Sequence, residues 1–150
     1  MNKEEKRNAR CLCLEILYAN SYSGNSFKDV LKNFFNQNNN ILDYNLNEEQ
    51  IKYASKLFEI TVNNINNVDK MIIDKLVNWE IKRLALMDKI ILRMSISEML
   101  FLDEIPPKVS ISEGVEIAKK YSTVDSSSFV NGILDAIYNE HYKDNIKIKN

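Results

Sequence analysis

Apolar residues recur along this chain at helical spacing, in blocks separated by short polar interruptions. Over residues 2–20, Ala9, Leu12, Cys13 and Ile16 fall on one side of a helical wheel. The stretch SYSGNS at 21–26 breaks that helix at Gly24, and a short second helix follows with Phe27, Val30, Leu31, Phe34 and Phe35 as its apolar set. Residues 36–45, rich in Asn, read as a polar loop of low complexity. Asn47 and Gln50 have the spacing of a capping box, in which two side chains satisfy each other's backbone amides at a helix start. The helix they open runs through Ile51, Ala54, Leu57, Phe58 and Thr61. After NNINNV at 63–68 the pattern resumes at Val68, Ile72, Ile73 and Leu76, so the seam between two helical halves is expected here. The halves are residues 1–65 and 66–142, with a polar tail at 143–150.

The strongest helical pattern runs from Trp79 to Phe101, where Leu84, Met87, Ile90, Ile91, Met94, Met99 and Leu100 leave few polar positions. Such a helix is buried on several sides. Ile105-Pro106-Pro107 stops the chain, because proline restricts itself and its predecessor. Ser110 and Glu113 read as a second capping box ahead of Val115, Ala118 and Tyr121. The last block, DSSSFVNGIL at 125–134, contains a conflict: Asn131-Gly132 is a turn dipeptide, yet Phe129, Val130, Ile133, Leu134, Ile137 and Tyr138 recur at helical spacing. Reading 126–140 as a helix capped near Asp125 or Ser126 requires something to offset Gly132, which costs about 1 kcal/mol against Ala. A closely approaching neighbour helix is the expected compensation, with Asn131 making a polar contact there. No strand is needed, and the fold class is all-α.

Composition narrows the function more by exclusion than by signature. The 45% hydrophobic and 27% charged content is that of an ordinary globular domain, and three glycines cannot build a Walker-type or dinucleotide-binding loop. Cys11, Cys13 and the lone His141 are too few for a zinc site or a disulfide framework. His141, in a tail expected to fray, has no partner at a spacing that would make a nucleophile and base. Cys11 and Cys13 fit a reducing cytoplasm; no apolar run approaches the ~18 residues that span a membrane, and no N-terminal stretch resembles a signal peptide. No catalytic residue, metal or cofactor is assigned, and the chain is read as a non-enzyme.

The net charge of −1 and a pI near 5.9 place any nucleic-acid contact in a local patch. One candidate exists: Lys3, Lys6, Arg7 and Arg10 share an arc of about 100° on the first helix, with Tyr18 just beyond Arg7. That arc is either a solvated outer face or a phosphate-binding stripe with an aromatic at its edge.

Three stretches together, KRNARCLCLEILYA at 6–19, DKIILRMSISEMLFLDEIPPKVSISEGVEIAKKY at 88–121 and DSSSFVNGIL at 125–134, resemble the NusB family of bacterial transcription antitermination factors. The resemblance implies an all-helical protein of two packed subdomains and about seven helices. It implies binding to the boxA element of ribosomal RNA leader transcripts as a heterodimer with NusE, a ribosomal protein of the small subunit. The pair would join RNA polymerase and suppress premature termination. By position, Lys6, Arg7 and Arg10 match the Arg-rich helix, Tyr18 its Leu-Tyr ending, and Asp125 and Phe129 an acidic and an aromatic residue near the RNA. On the residues alone, Phe129 reads first as a core position. Asp88 matches an acidic position facing NusE. Asn8, Glu15 and Ser128 depart from the family's basic or amide residues, which implies modest RNA affinity without NusE. Some family members self-associate, so a homodimer belongs among the expectations. Two other readings fit the same helices: a protein-interaction scaffold, and the accessory module of a ribosomal RNA cytosine methyltransferase, which would need a downstream methyl-donor domain.

Overall fold

The computed structural model describes residues 1–37, 45–77 and 81–143, and divides into two compact units, Met1–Asn63 and Asn64–Asn150. Among the described residues there are seven α-helices and no strand, the all-α class expected.

The first unit holds α1 (Lys3–Ser23), α2 (Phe27–Gln37) and α3 (Glu48–Asn63). A capping box begins α1: the Asn2 side chain accepts from the Glu5 amide at 2.8 Å, and Glu5 accepts from the Asn2 amide at 3.0 Å. Gly24 ends it with φ at +71°, a left-handed conformation that favours glycine, while its amide donates to the Asn20 carbonyl at 2.8 Å. The predicted line Ala9, Leu12, Cys13 and Ile16 is fully buried, and α1 packs chiefly on α3. There Ala54, Leu57 and Phe58 complete the core, and the Phe58 ring lies 5.6 Å from that of Phe27 on α2. The Asn47–Gln50 box is present, both bonds at 2.9 Å, and the Gln50 amide group also donates to the Glu5 carbonyl at 3.0 Å. One side chain thus starts α3 and ties it to α1. The loop expected at 36–45 falls, from 38 to 44, outside the described residues.

The second unit contains α4 (Ile65–Lys75), α5 (Leu86–Phe101), α6 (Pro107–Tyr121) and α7 (Val124–Tyr138), with a 3-10 turn at Ile81–Arg83 and a π-helical turn at Asn139–Lys143. Helix α5 is its axis, packed against α4, α6 and α7. Ile91, Leu92, Met94 and Ile96 are buried around it, and so are Ser95, Ser97 and Glu98. A forked ion pair, Arg93 to Asp69 with both bonds at 2.8 Å, joins α5 to α4.

Several expectations are corrected here. The helix predicted from Trp79 starts at Leu86, because Ala85 is extended (ψ 138°) after the 3-10 turn; Trp79 lies outside the described residues. Ile73 is 49% exposed, since Val68 and Ile72, four apart, define the inward line of α4. Ser110 and Glu113 form no cap. Pro107 occupies the first helical position, where its missing amide hydrogen costs nothing, so α6 begins earlier and both residues are buried inside it. The Ser110 hydroxyl donates instead to Glu98 of α5 at 2.8 Å. The cap of α7 is Thr123, whose hydroxyl accepts from the Ser126 amide at 3.0 Å.

Gly132 does lie within a helix, but among the described residues nothing approaches it: a Cβ there would have no neighbouring atom within 4 Å. Asn131 is exposed and marks no crossing. The close helix contact falls at Gly114 of α6, where a Cβ would stand 2.6 Å from Ser95 Oγ, 3.2 Å from Ser95 Cβ and 3.1 Å from Leu134 Cδ1. His141 also departs from the frayed tail expected, lying in the π turn, where Tyr142 donates its hydroxyl to the Met99 carbonyl at 2.7 Å.

Candidate nucleic-acid interface

Two groups of candidate residues emerge, one in each unit. On α1, Lys3 is exposed and Lys6 and Arg7 are half-buried, so the basic arc is accessible over the first two turns. Arg10 is not part of it. It is 3% exposed, its guanidinium carbon 5.9 Å from the centroid of the Tyr53 ring on α3. The aliphatic stem and the cation–π contact make Arg10 a packing residue between helices, which corrects its place on the solvent-facing arc. Toward the end of α1, Tyr18 is 37% exposed and Tyr22 71% exposed. Their hydroxyls are 3.1 Å apart and their rings meet edge to face at 5.2 Å. Tyr22 escaped the sequence reading, although its spacing of four from Tyr18 puts both on one row of the helix surface.

In the second unit, Asp88, Asp125 and Phe129 come together. They line a pocket of about 310 Å³ with Arg83, Leu84, Ala85 and Ser126. Asp88 stands in the first turn of α5 and Asp125 in the first turn of α7, where helix amides favour negative charge. Phe129 is half-buried and two residues further into α7 than expected, because the helix starts at Val124 rather than at 126. Asp88 is only 7% exposed and offers little surface to a protein partner. One of its oxygens accepts from the Ser126 hydroxyl at 3.0 Å, and Thr123 donates to Ser126 at 3.1 Å. Its other oxygen, Oδ1, is buried with no donor among the described residues.

A larger groove of about 770 Å³ between α6 and α7 carries both signs of charge, Lys108 and Lys119 beside Glu116 and Asp135, and holds none of the predicted site residues. Among the described residues, no group of three or more His, Cys, Asp or Glu side chains could hold a metal ion. No described helix is long and apolar enough to cross a membrane.

Fold and site together define a class: an all-helical, two-unit protein with a basic helix face and an aromatic pocket at a helix start. The chain belongs to the NusB family, whose model matches residues 7–139. It is 41% identical over 135 residues to the transcription antitermination protein NusB of Chloroherpeton thalassium, covering 90% of this chain and 62% of that protein. It is also 41% identical over 140 residues to the NusB of Thermodesulfovibrio yellowstonii, covering 91% of this chain and 93% of that one. Among solved structures it resembles one of the antitermination factors NusB and NusE in complex with dsRNA. There the TM-score is 0.78 at 27% identity, covering 93% of this chain and 100% of that one.

Proposed function

We propose that this chain is a non-enzymatic, cytoplasmic RNA-binding adaptor of transcription antitermination. It recognises boxA RNA of ribosomal RNA leader transcripts together with NusE and suppresses premature termination by RNA polymerase. The observation that carries the reading is the family match across residues 7–139. The structural likeness to a NusB solved with NusE and RNA supports both partners. In this reading Lys3, Lys6 and Arg7 contact phosphates, which positions the RNA without reading its sequence. Tyr18 and Phe129 offer faces on which unstacked bases rest, and Asp125 accepts hydrogen bonds from base edges. Asp88, at the start of α5, is kept as a contact to NusE, its 7% exposure limiting it to a small part of that surface.

The test is binding of boxA and scrambled RNA to the purified chain, with and without NusE, at two salt concentrations. Selective binding that strengthens with NusE is expected. Replacing Lys6 or Arg7 with Ala should flatten the log–log salt dependence by about 0.7 per lost contact with single-stranded RNA. Unchanged slopes would remove these residues from the phosphate contacts. NusE binding without any RNA selectivity would replace the reading with that of a protein-interaction scaffold.

A further inference from the structure

Tyr22 is more open to solvent than any other described phenylalanine or tyrosine. One exposed ring by itself needs no explanation, since apolar groups are common on protein surfaces. Tyr22 differs in being held. Its hydroxyl is hydrogen-bonded to that of Tyr18, one helical turn earlier, and the two rings meet at 69° with their centroids 5.2 Å apart. Contact between the rings and a bond between their tips orient both side chains before anything binds, which lowers the entropy cost of using them.

The surroundings select what such a pair would take. From residue 16 to residue 27 the chain carries no charged side chain. A charged protein segment would find no counter-ion here, whereas a nucleobase is neutral and presents a flat face to an aromatic ring. The phosphates that accompany a base are provided for elsewhere on the same helix. Tyr18 and Tyr22 lie roughly 20° and 60° around the α1 axis from Arg7, and roughly 16 and 22 Å along it, so a strand running from the basic arc along α1 reaches both. The angle between the rings adds a constraint. Bases in a continuous stack lie parallel, so two bases resting on rings inclined at 69° cannot also stack on each other. We infer that Tyr22 is a further base-stacking residue, and that the Tyr18–Tyr22 pair takes two neighbouring bases of single-stranded RNA splayed apart at the step between them.

The inference rests on the RNA-binding reading above, and its test separates the two. Single-stranded boxA RNA is titrated with the full chain, wild type, Tyr22→Ala and Tyr22→Phe, at two salt concentrations and followed by fluorescence anisotropy. Loss of one stacked base corresponds to binding weaker by roughly fivefold to a hundredfold, the loss expected for Tyr22→Ala. The salt slope should stay at the wild-type value, because no phosphate contact is removed. Tyr22→Phe keeps a ring but not the bond that orients it, and should fall between the two. With the same RNA annealed into a duplex, whose bases stay stacked on one another, wild type and Tyr22→Ala should bind equally. Thermal unfolding confirms that the variants are folded. A second measurement needs no variant: RNAs with a single 5-iodouridine moved along the strand are irradiated with the wild-type chain, and the attached residue is identified by mass spectrometry. Neighbouring positions should attach to Tyr18 and to Tyr22.

Unchanged binding of single-stranded RNA by Tyr22→Ala, with attachment to Tyr18 alone, overturns the inference and leaves the adaptor reading standing. An equal loss on single strand and duplex also overturns it, since stacking on an extruded base is then not the cause. Unchanged RNA binding with weaker NusE binding would give the ring to the protein partner instead. If Tyr22→Ala fails to fold, the attachment pattern decides alone. No RNA binding by the wild-type chain overturns both readings.

Discussion

Replacing each of two glycines with alanine should have opposite effects on stability. Gly114 and Gly132 both lie inside helices, so Ala at either position gains about 1 kcal/mol of helix propensity. At Gly132 nothing among the described residues stands within 4 Å of the new methyl group, and the gain is realised. At Gly114 the methyl would sit 2.6 Å from Ser95 Oγ. Rotation of that hydroxyl relieves only one contact, because Ser95 Cβ at 3.2 Å and Leu134 Cδ1 at 3.1 Å remain. Helix α6 must then move off α5, and forced overpacking of a buried contact costs about 1–3 kcal/mol. The propensity gain is common to both variants and cancels in their difference, so Gly114→Ala should be less stable than Gly132→Ala by about 1–3 kcal/mol. Urea unfolding at unchanged m-value measures this directly. Ser95→Gly, which removes Oγ and the opposing Cβ but leaves Leu134 Cδ1 at 3.1 Å, should shrink the difference in a double-mutant cycle. Equal stabilisation by both alanines would refute the close contact between α5 and α6.

Two further perturbations separate structural from binding roles. Arg10→Ala should cost stability, about 0.5–2 kcal/mol from the cation–π contact with Tyr53 with more from lost stem packing, while leaving the salt slope of RNA binding near that of wild type. A slope change as large as that of Arg7→Ala would return Arg10 to the phosphate-binding arc. Burial first, then the charge of Asp103 and the neighbouring Tyr138, raises the pKa of Tyr142 above the usual tyrosine value. The folded chain therefore favours the neutral phenol. Its contribution is fully present below about pH 10 and is lost as pH rises through the raised value, so stability should fall there. Tyr142→Phe should remove that alkaline decline and lower stability by about 1 kcal/mol at neutral pH, because the Met99 carbonyl loses its donor; urea midpoints from pH 8 to 11 test both effects.

The helices were legible because their apolar lines are nearly uninterrupted, and the line Ala9, Leu12, Cys13 and Ile16 is buried as read. Helix starts were less so. The Asn47–Gln50 pair and the Ser110–Glu113 pair have the same spacing, but Pro107 lets α6 start earlier and turns the second pair into buried polar residues. Periodicity places residues on faces without saying which face another helix will cover. For that reason Arg10 looked like its neighbours Lys6 and Arg7 until Tyr53 was seen above it. The same limit applies to glycine. The sequence marked Gly132 as costly, whereas the helix crossing that requires a bare backbone is at Gly114, a residue without a turn dipeptide to draw attention. The gathering of Asp88, Asp125 and Phe129 depends on residues some forty positions apart and was not legible in local spacing.

Helix α5 is enclosed by α4, α6 and α7, and its Met99 carbonyl is held by a phenol from beyond α7. This arrangement sets the order in which backbone protons exchange with solvent. Fraying of any one outer helix leaves the other two over α5, so amides from Ile90 to Met99 become accessible only when the whole second unit opens. Their common exchange rate would be a direct measure of that unit's unfolding free energy. The amides of α4, α6 and α7 would exchange sooner, through partial openings that leave the central helix intact.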